Sequence, residues 1–278
     1  MNTLTWPEAI EQYLFSQTVA GAPATTRETR RQHLAHLAAR INTPPFQVTG
    51  AQLVEWAAGQ KWARETRRGR RSTFRSFYEW GTQAGHLGDH ENPALMLPRV
   101  KAAEPAPRPA PDRVYHEALM KAGERERLIL RLAAEIGMRR AEVAQVHTDD
   151  VIEDLLGHSL RVHGKGLKKR TVPLTPGVAA DLLALPEGFA FPGAIDGHLS
   201  PRWVGKIITK LMPGKWTMHT LRHRFATRTY AASRDLLVVQ GLLGHATPTT
   251  TQRYIVLPPD SMRAAVFAAA GVVSASAA

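Results

Sequence analysis

Several short runs carry the residue types needed to handle a phosphodiester. The chain reads His219-Thr220-Leu221-Arg222-His223, then Leu243-Gly244-His245, then Tyr254 nine residues after that histidine. Upstream stand Gly137-Met138-Arg139-Arg140-Ala141-Glu142 and Gly164-Lys165-Gly166-Leu167-Lys168-Lys169-Arg170. Attack on a phosphodiester requires its charge neutralised, a nucleophile in line and a proton for the leaving oxygen. The chain has no cysteine, so Tyr254 is the candidate nucleophile. A phenol of ordinary pKa near ~10 is also a workable leaving group, so a phosphotyrosine bond reverses without ATP. Arginine suits the clamp because its planar fork donates two hydrogen bonds and stays charged. On a helix, His219 and Arg222 at i and i+3 share a face with His223 beside them. The whole set reads as an ordered series of candidate cations ahead of one tyrosine.

Composition narrows the partner. The 278 residues exceed one ordinary domain, so two are expected. The formal charge of +12 favours a polyanion, since each phosphate neutralised by Lys or Arg releases condensed counterion. Nucleic acid leads and an acidic membrane surface follows. No apolar run approaches a membrane span, and Met1-Asn2-Thr3-Leu4 lacks the basic and apolar regions of a secretion signal. The expectation is a cytoplasmic, nucleoid-associated protein without membrane partners. Without cysteine there is neither a disulfide framework nor a thiolate metal site.

The elements that must position these residues follow from periodicity. Trp6, Ala9, Ile10, Tyr13 and Leu14 form one helical stripe, Leu34, Leu37 and Ile41 another, and Phe74, Phe77, Tyr78 and Gly81 a third. Residues 1–97 therefore read as an all-helical domain. Between Lys61 and Arg75 it carries Arg64, Arg67, Arg68, Arg70, Arg71 and Arg75 against one acid, Glu65, directly ahead of an aromatic cluster. A bare charge run is usually a solvated face, but this one-sided sign favours DNA contact. Residues 98–111, with prolines at 98, 105, 107, 109 and 111, read as a stiff extended linker. In residues 112–278, Leu128, Ile129, Leu132, Ala133 and Ile136 mark a helix stopped by Gly137. Leu160 to Leu174 reads as a hairpin with Lys165 at its tip. Helices return after Pro201, and Thr247 and Pro248 suit the start of one carrying Tyr254. The fold class is mainly α with a small β-sheet.

Taken together the runs resemble the tyrosine recombinases, also called phage-type integrases. That family's pattern is a Gly-Leu-Arg box with an acid three residues later, a Gly-Lys-Gly hairpin, a His-x-Leu-Arg-His box, a Leu-Gly-His box and a tyrosine nine residues on. The resemblance implies that Arg139 and Arg222 hold the scissile phosphate and that Lys165 protonates the leaving 5' oxygen. It implies that His219 and His245 complete the phosphate shell and assist proton transfer, and that Glu142 holds neighbouring groups in place. Tyr254 would attack to leave a 3'-phosphotyrosine and a 5'-hydroxyl. Arg75-Ser-Phe-Tyr-Glu-Trp80 followed by Asn92-Pro93 resembles the end of the family's helical core-binding domain, so the fold implied is that domain plus an α+β catalytic domain. Few residues precede the first stripe, which implies a simple recombination site without an arm-binding domain. Met138 replaces the usual leucine, and Arg140 competes with Arg139 until the spacing to Glu142 selects the latter.

The activity implied is site-specific recombination through a Holliday junction by a homotetramer on double-stranded DNA, with phage integration and excision first and an Xer-like or transposon role second. Lys168 and Lys169 join the DNA-contact set. A DNA-bending or directionality protein is an expected accessory. The competing class is a non-cleaving DNA-binding regulator of the same fold. Each run taken alone has a blander reading, since a lone His-x-x-Arg pair or a lone tyrosine is usually structural; the fixed order and spacing carry the argument. No metal centre is expected: His219 and His223 sit at i, i+4, but no Glu follows the first histidine and no third ligand is evident. No cofactor is expected either. Asp260 to Phe267 reads as a short amphipathic helix that in relatives docks onto the next protomer, and the terminal Ala277-Ala278 resembles ends taken by Clp-type proteases.

Overall fold

The computed structural model describes residues 4–88, 91–102, 106–164, 169–245, 251–252, 254–255 and 266. Lys165, Lys168, Thr247, Pro248, Ala277 and Ala278, with all of the 260–267 segment except Val266, lie outside the described residues. The chain divides into two compact units, Met1–Glu104 and Pro105–Ala278.

The first unit is helical: α1 Trp6–Val19, α2 Ala24–Ala38, α3 Gly50–Ala58 and α4 Arg64–Gln83. Thr5 and Thr49 begin α1 and α3 with capping boxes closed by Glu8 and Gln52, satisfying backbone donors that a helix start leaves free. All three expected stripes meet in one core, where Phe77 stacks on Trp6 and meets Tyr13 edge-on. The basic half of α4 projects from this core because its aromatic half is locked into it.

In the second unit the helices are α5 Asp112–Lys121, α6 Glu124–Ala134, α7 Arg140–Ala144, α8 Pro176–Leu183, α9 Pro201–Leu211, α10 Met218–Ser233 and α11 Leu236–Leu243. They pack around a three-stranded antiparallel sheet, β1 Val151–Asp154, β2 Gly157–His163 and β3 Lys169–Pro173, in that order; a short β4 covers Pro192–Ile195. The expected hairpin is β2 with β3, Leu160 facing Val172 and Val162 facing Arg170. The third strand, β1, is an addition: four residues ending Glu-Asp show no clear alternation, and pairing with β2 supplies the strand conformation.

The proline-rich stretch is packed at both ends. Leu97 belongs to the first core and Ala110 to the second, and the Ala110 N–H donates to the Thr220 carbonyl at 2.9 Å. α6 ends earlier than expected, at Ala134, so Ile136 lies beyond it; Gly137 follows, left-handed at φ +74, and the Met138 N–H returns to the Leu132 carbonyl. A Cβ at Gly137 would approach the Phe225 ring to 2.3 Å. Gly137→Ala is therefore expected to lose at least about 1–3 kcal/mol from the left-handed backbone alone, with overpacking against Phe225 adding to it. Urea unfolding checks this, and an unchanged midpoint would contradict the assignment.

Candidate active site

The site is assembled from four places in the fold, two of them breaks in regular structure. Arg139 is the N-cap of α7, just past the Gly137 turn, and Glu142 lies in the first turn of that helix. Arg170 sits on β3. His219, Arg222 and His223 lie on successive turns of α10. His245 follows Gly244, whose left-handed φ of +62 ends α11.

Arg222 is buried at 1% exposure. It donates to the carbonyl oxygens of Gly137 and, at 2.6 Å, Leu243, and to His245 Nε2 at 3.0 Å. Its Nε is buried with no partner among the described residues. Burial lowers its pKa to about 9, with the Arg139 charge acting in the same direction, so it remains a cation at neutral pH. A buried cation with a spare donor is a strong anion anchor because a low-dielectric setting magnifies the attraction.

Glu142 is the counter-charge. Its carboxylate accepts both prongs of Arg170 at 2.9 Å each, the Arg139 side chain at 2.6 Å and the Arg139 backbone N–H at 2.8 Å. Burial opposes its ionisation, yet the Arg170 fork and the Arg139 bonds prevail and hold its pKa at about 2. Arg170 also donates from Nε to the Leu242 carbonyl at 2.9 Å. A Cβ on Gly244 would meet the Arg170 side chain at 2.9 Å. Arg170 thus ties the hairpin, the acid and the end of α11 together. Sequence reasoning missed it, although its place closing the Gly-Lys-Gly run was visible.

Tyr254 lies among three imidazoles. The His223 ring stacks on it at 4.2 Å, His245 lies at 4.8 Å and His219 meets it edge-on at 5.2 Å, while Arg222 Cζ is 5.9 Å from its centre. The histidines are not the cations expected from sequence. Burial, then the Arg222 and Arg139 charges, lowers His245 to about 3 and His219 below the ordinary histidine value. Burial, with His219 and Arg222, lowers His223 to about 4. Because His245 Nε2 accepts from Arg222, its proton sits on Nδ1 and donates to Thr251 Oγ1 at 2.9 Å. Neutral imidazoles beside permanent guanidinium groups can pass protons, and an arriving phosphate would raise their basicity.

These groups open on a cleft of 1380 Å³ lined by Tyr254, His219, Arg222, Arg139 and Arg140, among others. Among the described residues, eight lysines and arginines line it against a single acid, Glu126. Three of the eight, Arg202, Lys206 and Lys210, repeat every four residues along α9, with half-exposed Trp203 between them. That basic helix face was also missed, though its i, i+4, i+8 spacing was legible. Lys169 is exposed at the start of β3. In the first unit, Arg68, Arg71 and Arg75 line a separate groove of 800 Å³ with Arg99 and Lys101, while Arg64 and Arg67 are exposed on α4. Arg70 instead lies over the Trp62 ring at 4.5 Å, and Arg71 donates to the Leu97 carbonyl at 2.9 Å, so both also hold the unit together. No helix among the described residues is long and apolar enough to cross a membrane.

Residues 112–259 match the model of the phage integrase family. A tyrosine recombinase XerC of Rhodospirillum centenum is 37% identical over 207 residues, which is 66% of this chain and 59% of that protein. A tyrosine recombinase XerC of Methylobacterium nodulans is 31% identical over 81% of this chain and 79% of its own length. Among solved structures, a lambda integrase tetramer bound to a Holliday junction shares the fold with a TM-score of 0.73 at 18% identity, covering 92% of this chain and 78% of that one.

The Glu142 network sets a pH dependence. Its folded pKa is depressed from 4.5 to about 2, so its stabilisation is fully present above the unfolded value and is lost as pH falls from about 4.5 towards about 2, on the order of 3 kcal/mol in all. In Glu142→Gln the overall stability is lower, because Arg170 loses its partner, but the slope of stability against pH across that window is shallower. Acid titration of unfolding free energy in both proteins tests this; equal slopes would exclude Glu142 as the titrating group.

Proposed function

The chain belongs to the phage integrase family, and from that premise we propose that it is a site-specific recombinase that cuts and rejoins double-stranded DNA through a 3'-phosphotyrosine. One observation carries the reading: a tyrosine ring lies within 5.9 Å of a buried arginine whose Nε is unpartnered among the described residues. Arg222 and Arg139 hold the two non-bridging oxygens of the scissile phosphate. His219 and His245 complete the shell, and these neutral imidazoles beside the ring take the phenol proton as Tyr254 attacks, Thr251 and Arg222 holding His245 in place. Tyr254 attacks phosphorus while the 5' oxygen leaves. Lys165, in the segment of sequence between β2 and β3, is the proposed proton donor to that oxygen.

Glu142 acts behind this layer, fixing Arg139 through one carboxylate oxygen and its backbone through the other. The basic cleft, with α9 and Lys168 and Lys169, carries one DNA face. The α4 arginines carry another, Arg64, Arg67, Arg68 and Arg75 outward and Arg70 and Arg71 by their half-buried guanidinium edges. Assembly as a homotetramer through a Holliday junction, an accessory DNA-bending or directionality protein, and turnover by a Clp-type protease acting on Ala277-Ala278 belong to the same proposal.

Two biological uses share this chemistry: phage integration and excision, and an Xer-type role. The 37% identity to a protein named XerC favours the second. Mapping covalent protein–DNA adducts across the genome separates them, because a phage integrase marks the junctions of the element that encodes it and an Xer-type enzyme marks one chromosomal site elsewhere.

A nicked suicide duplex carrying the mapped site should trap a covalent adduct with the wild-type protein and none with Tyr254→Phe, which still binds it. Binding without an adduct on the mapped site would instead support a non-cleaving regulator. Affinity should fall steeply with salt, since 6 or more phosphate contacts of the kind proposed lower it by roughly 10³-fold or more between 50 and 200 mM. A flat salt series would remove the proposed backbone contacts.

A further inference from the structure

One of the imidazoles around Tyr254 is held by a segment outside every motif. Residues 106–111 run as a strap along α10. Two backbone donors, two residues apart, reach that helix: the Ala110 N–H meets the Thr220 carbonyl at 2.9 Å and the Arg108 N–H meets His223 Nδ1 at 3.3 Å. The Arg108 side chain anchors the strap by donating to the Lys215 carbonyl at 3.2 Å and by lying 4.9 Å from the centre of the Trp216 ring.

Accepting a hydrogen bond at Nδ1 leaves His223 neutral with its proton on Nε2. Burial and the neighbouring His219 and Arg222 favour the same neutral form. The ring is 6% exposed and lies nearly parallel to the Tyr254 ring, at 23°. His219 touches the phenol edge-on and His245 is tilted, so His223 alone of the three lies flat against its face. A side chain with two rotatable bonds needs such a wall if its oxygen is to stay in line with phosphorus, and a misplacement near 1 Å can cost about 100-fold in rate.

We propose that Arg108 and His223 are positioning residues: the Arg108 backbone N–H sets the plane of the His223 ring, and that ring sets the plane of Tyr254 for attack. Neither touches the reacting atoms. The inference rests on the reading of Tyr254 as nucleophile. It also gives the strap a consequence. Arg108 is the fourth residue of its unit, so whatever displaces the chain just before it acts on the nucleophile through one hydrogen bond and one ring contact.

The test uses the full chain on the suicide duplex, with the single-turnover rate of adduct formation and the DNA dissociation constant measured separately. Arg108→Ala removes the guanidinium and keeps the N–H; Arg108→Pro removes both, and the flanking Pro107 and Pro109 already favour the extended chain that a proline needs. Arg108→Pro is expected to form adduct about tenfold more slowly than Arg108→Ala at the same DNA affinity. His223→Phe, which keeps a flat ring but accepts no hydrogen bond, should be slowed to a similar degree at unchanged affinity. The double variant should be no slower than His223→Phe alone, because both changes break one interaction. Equal rates in the two Arg108 variants, a wild-type rate in His223→Phe, or effects that multiply in the double variant would each overturn the proposal. Should Arg108→Pro bind DNA poorly, the comparison of His223→Phe with wild type decides. Absence of adduct in the wild-type protein would instead defeat the nucleophile reading and this inference with it.

Discussion

The structure of the second unit is organised around burying one guanidinium. Taking a cation out of water costs several kcal/mol even after relaxation, and Arg222 is almost wholly enclosed. Its compensation comes from backbone carbonyls that regular helices would have consumed. The Gly137 carbonyl is free because a left-handed residue breaks the chain after α6, and the Leu243 carbonyl is free because Gly244 ends α11. Helix C-terminal carbonyls carry partial negative charge and suit a cation. The two glycines and the arginine are thus one device. Placing a polar backbone turn beside a buried cation satisfies both.

That device accounts for the electrostatics around it. Glu142 sits 3.8 Å from Arg222 but is spent on Arg139 and Arg170, so three guanidinium groups share one carboxylate and the pocket keeps an excess of positive charge. Burial first, and that excess second, depresses the histidines and leaves them neutral. A site built this way attracts an anion without carrying protonated imidazoles that would compete for it. Its attraction does not change near neutral pH, because arginine rather than histidine supplies the charge.

The same excess explains the division of labour among the basic residues. Arg139, Arg170 and Arg222 are fixed by bonds within the site, whereas Arg202, Lys206 and Lys210 line the open cleft along one helix face. On the proposed reading, fixed groups give geometry, and long flexible ones give attraction along a polyanion. In the first unit Arg70 and Arg71 belong partly to the former kind, through Trp62 and Leu97, and their neighbours Arg64 and Arg67 to the latter.

Much of this was legible in the residues themselves, because the information was local. Helical stripes such as Trp6, Ala9, Ile10, Tyr13 and Leu14 report the face that must be buried, and Gly137 reports a turn that other residues resist. The spacing of His219 to Arg222 places that pair on one side of a helix whatever surrounds it. What the sequence could not decide was long-range. Arg170 lies 28 residues from Glu142 and Arg108 lies 115 residues from His223, and no periodicity links positions so far apart. The strand β1 exists because β2 offers it a partner. The protonation of His219, His223 and His245 depends on burial and on neighbouring charges, which only the packed chain supplies. Sequence by itself determined which side chains share a helix face or a turn, through backbone geometry; the tertiary structure alone decided which charge is buried, which histidines stay neutral and which ring lies flat on Tyr254, since each depends on the dielectric and contacts made when distant segments meet.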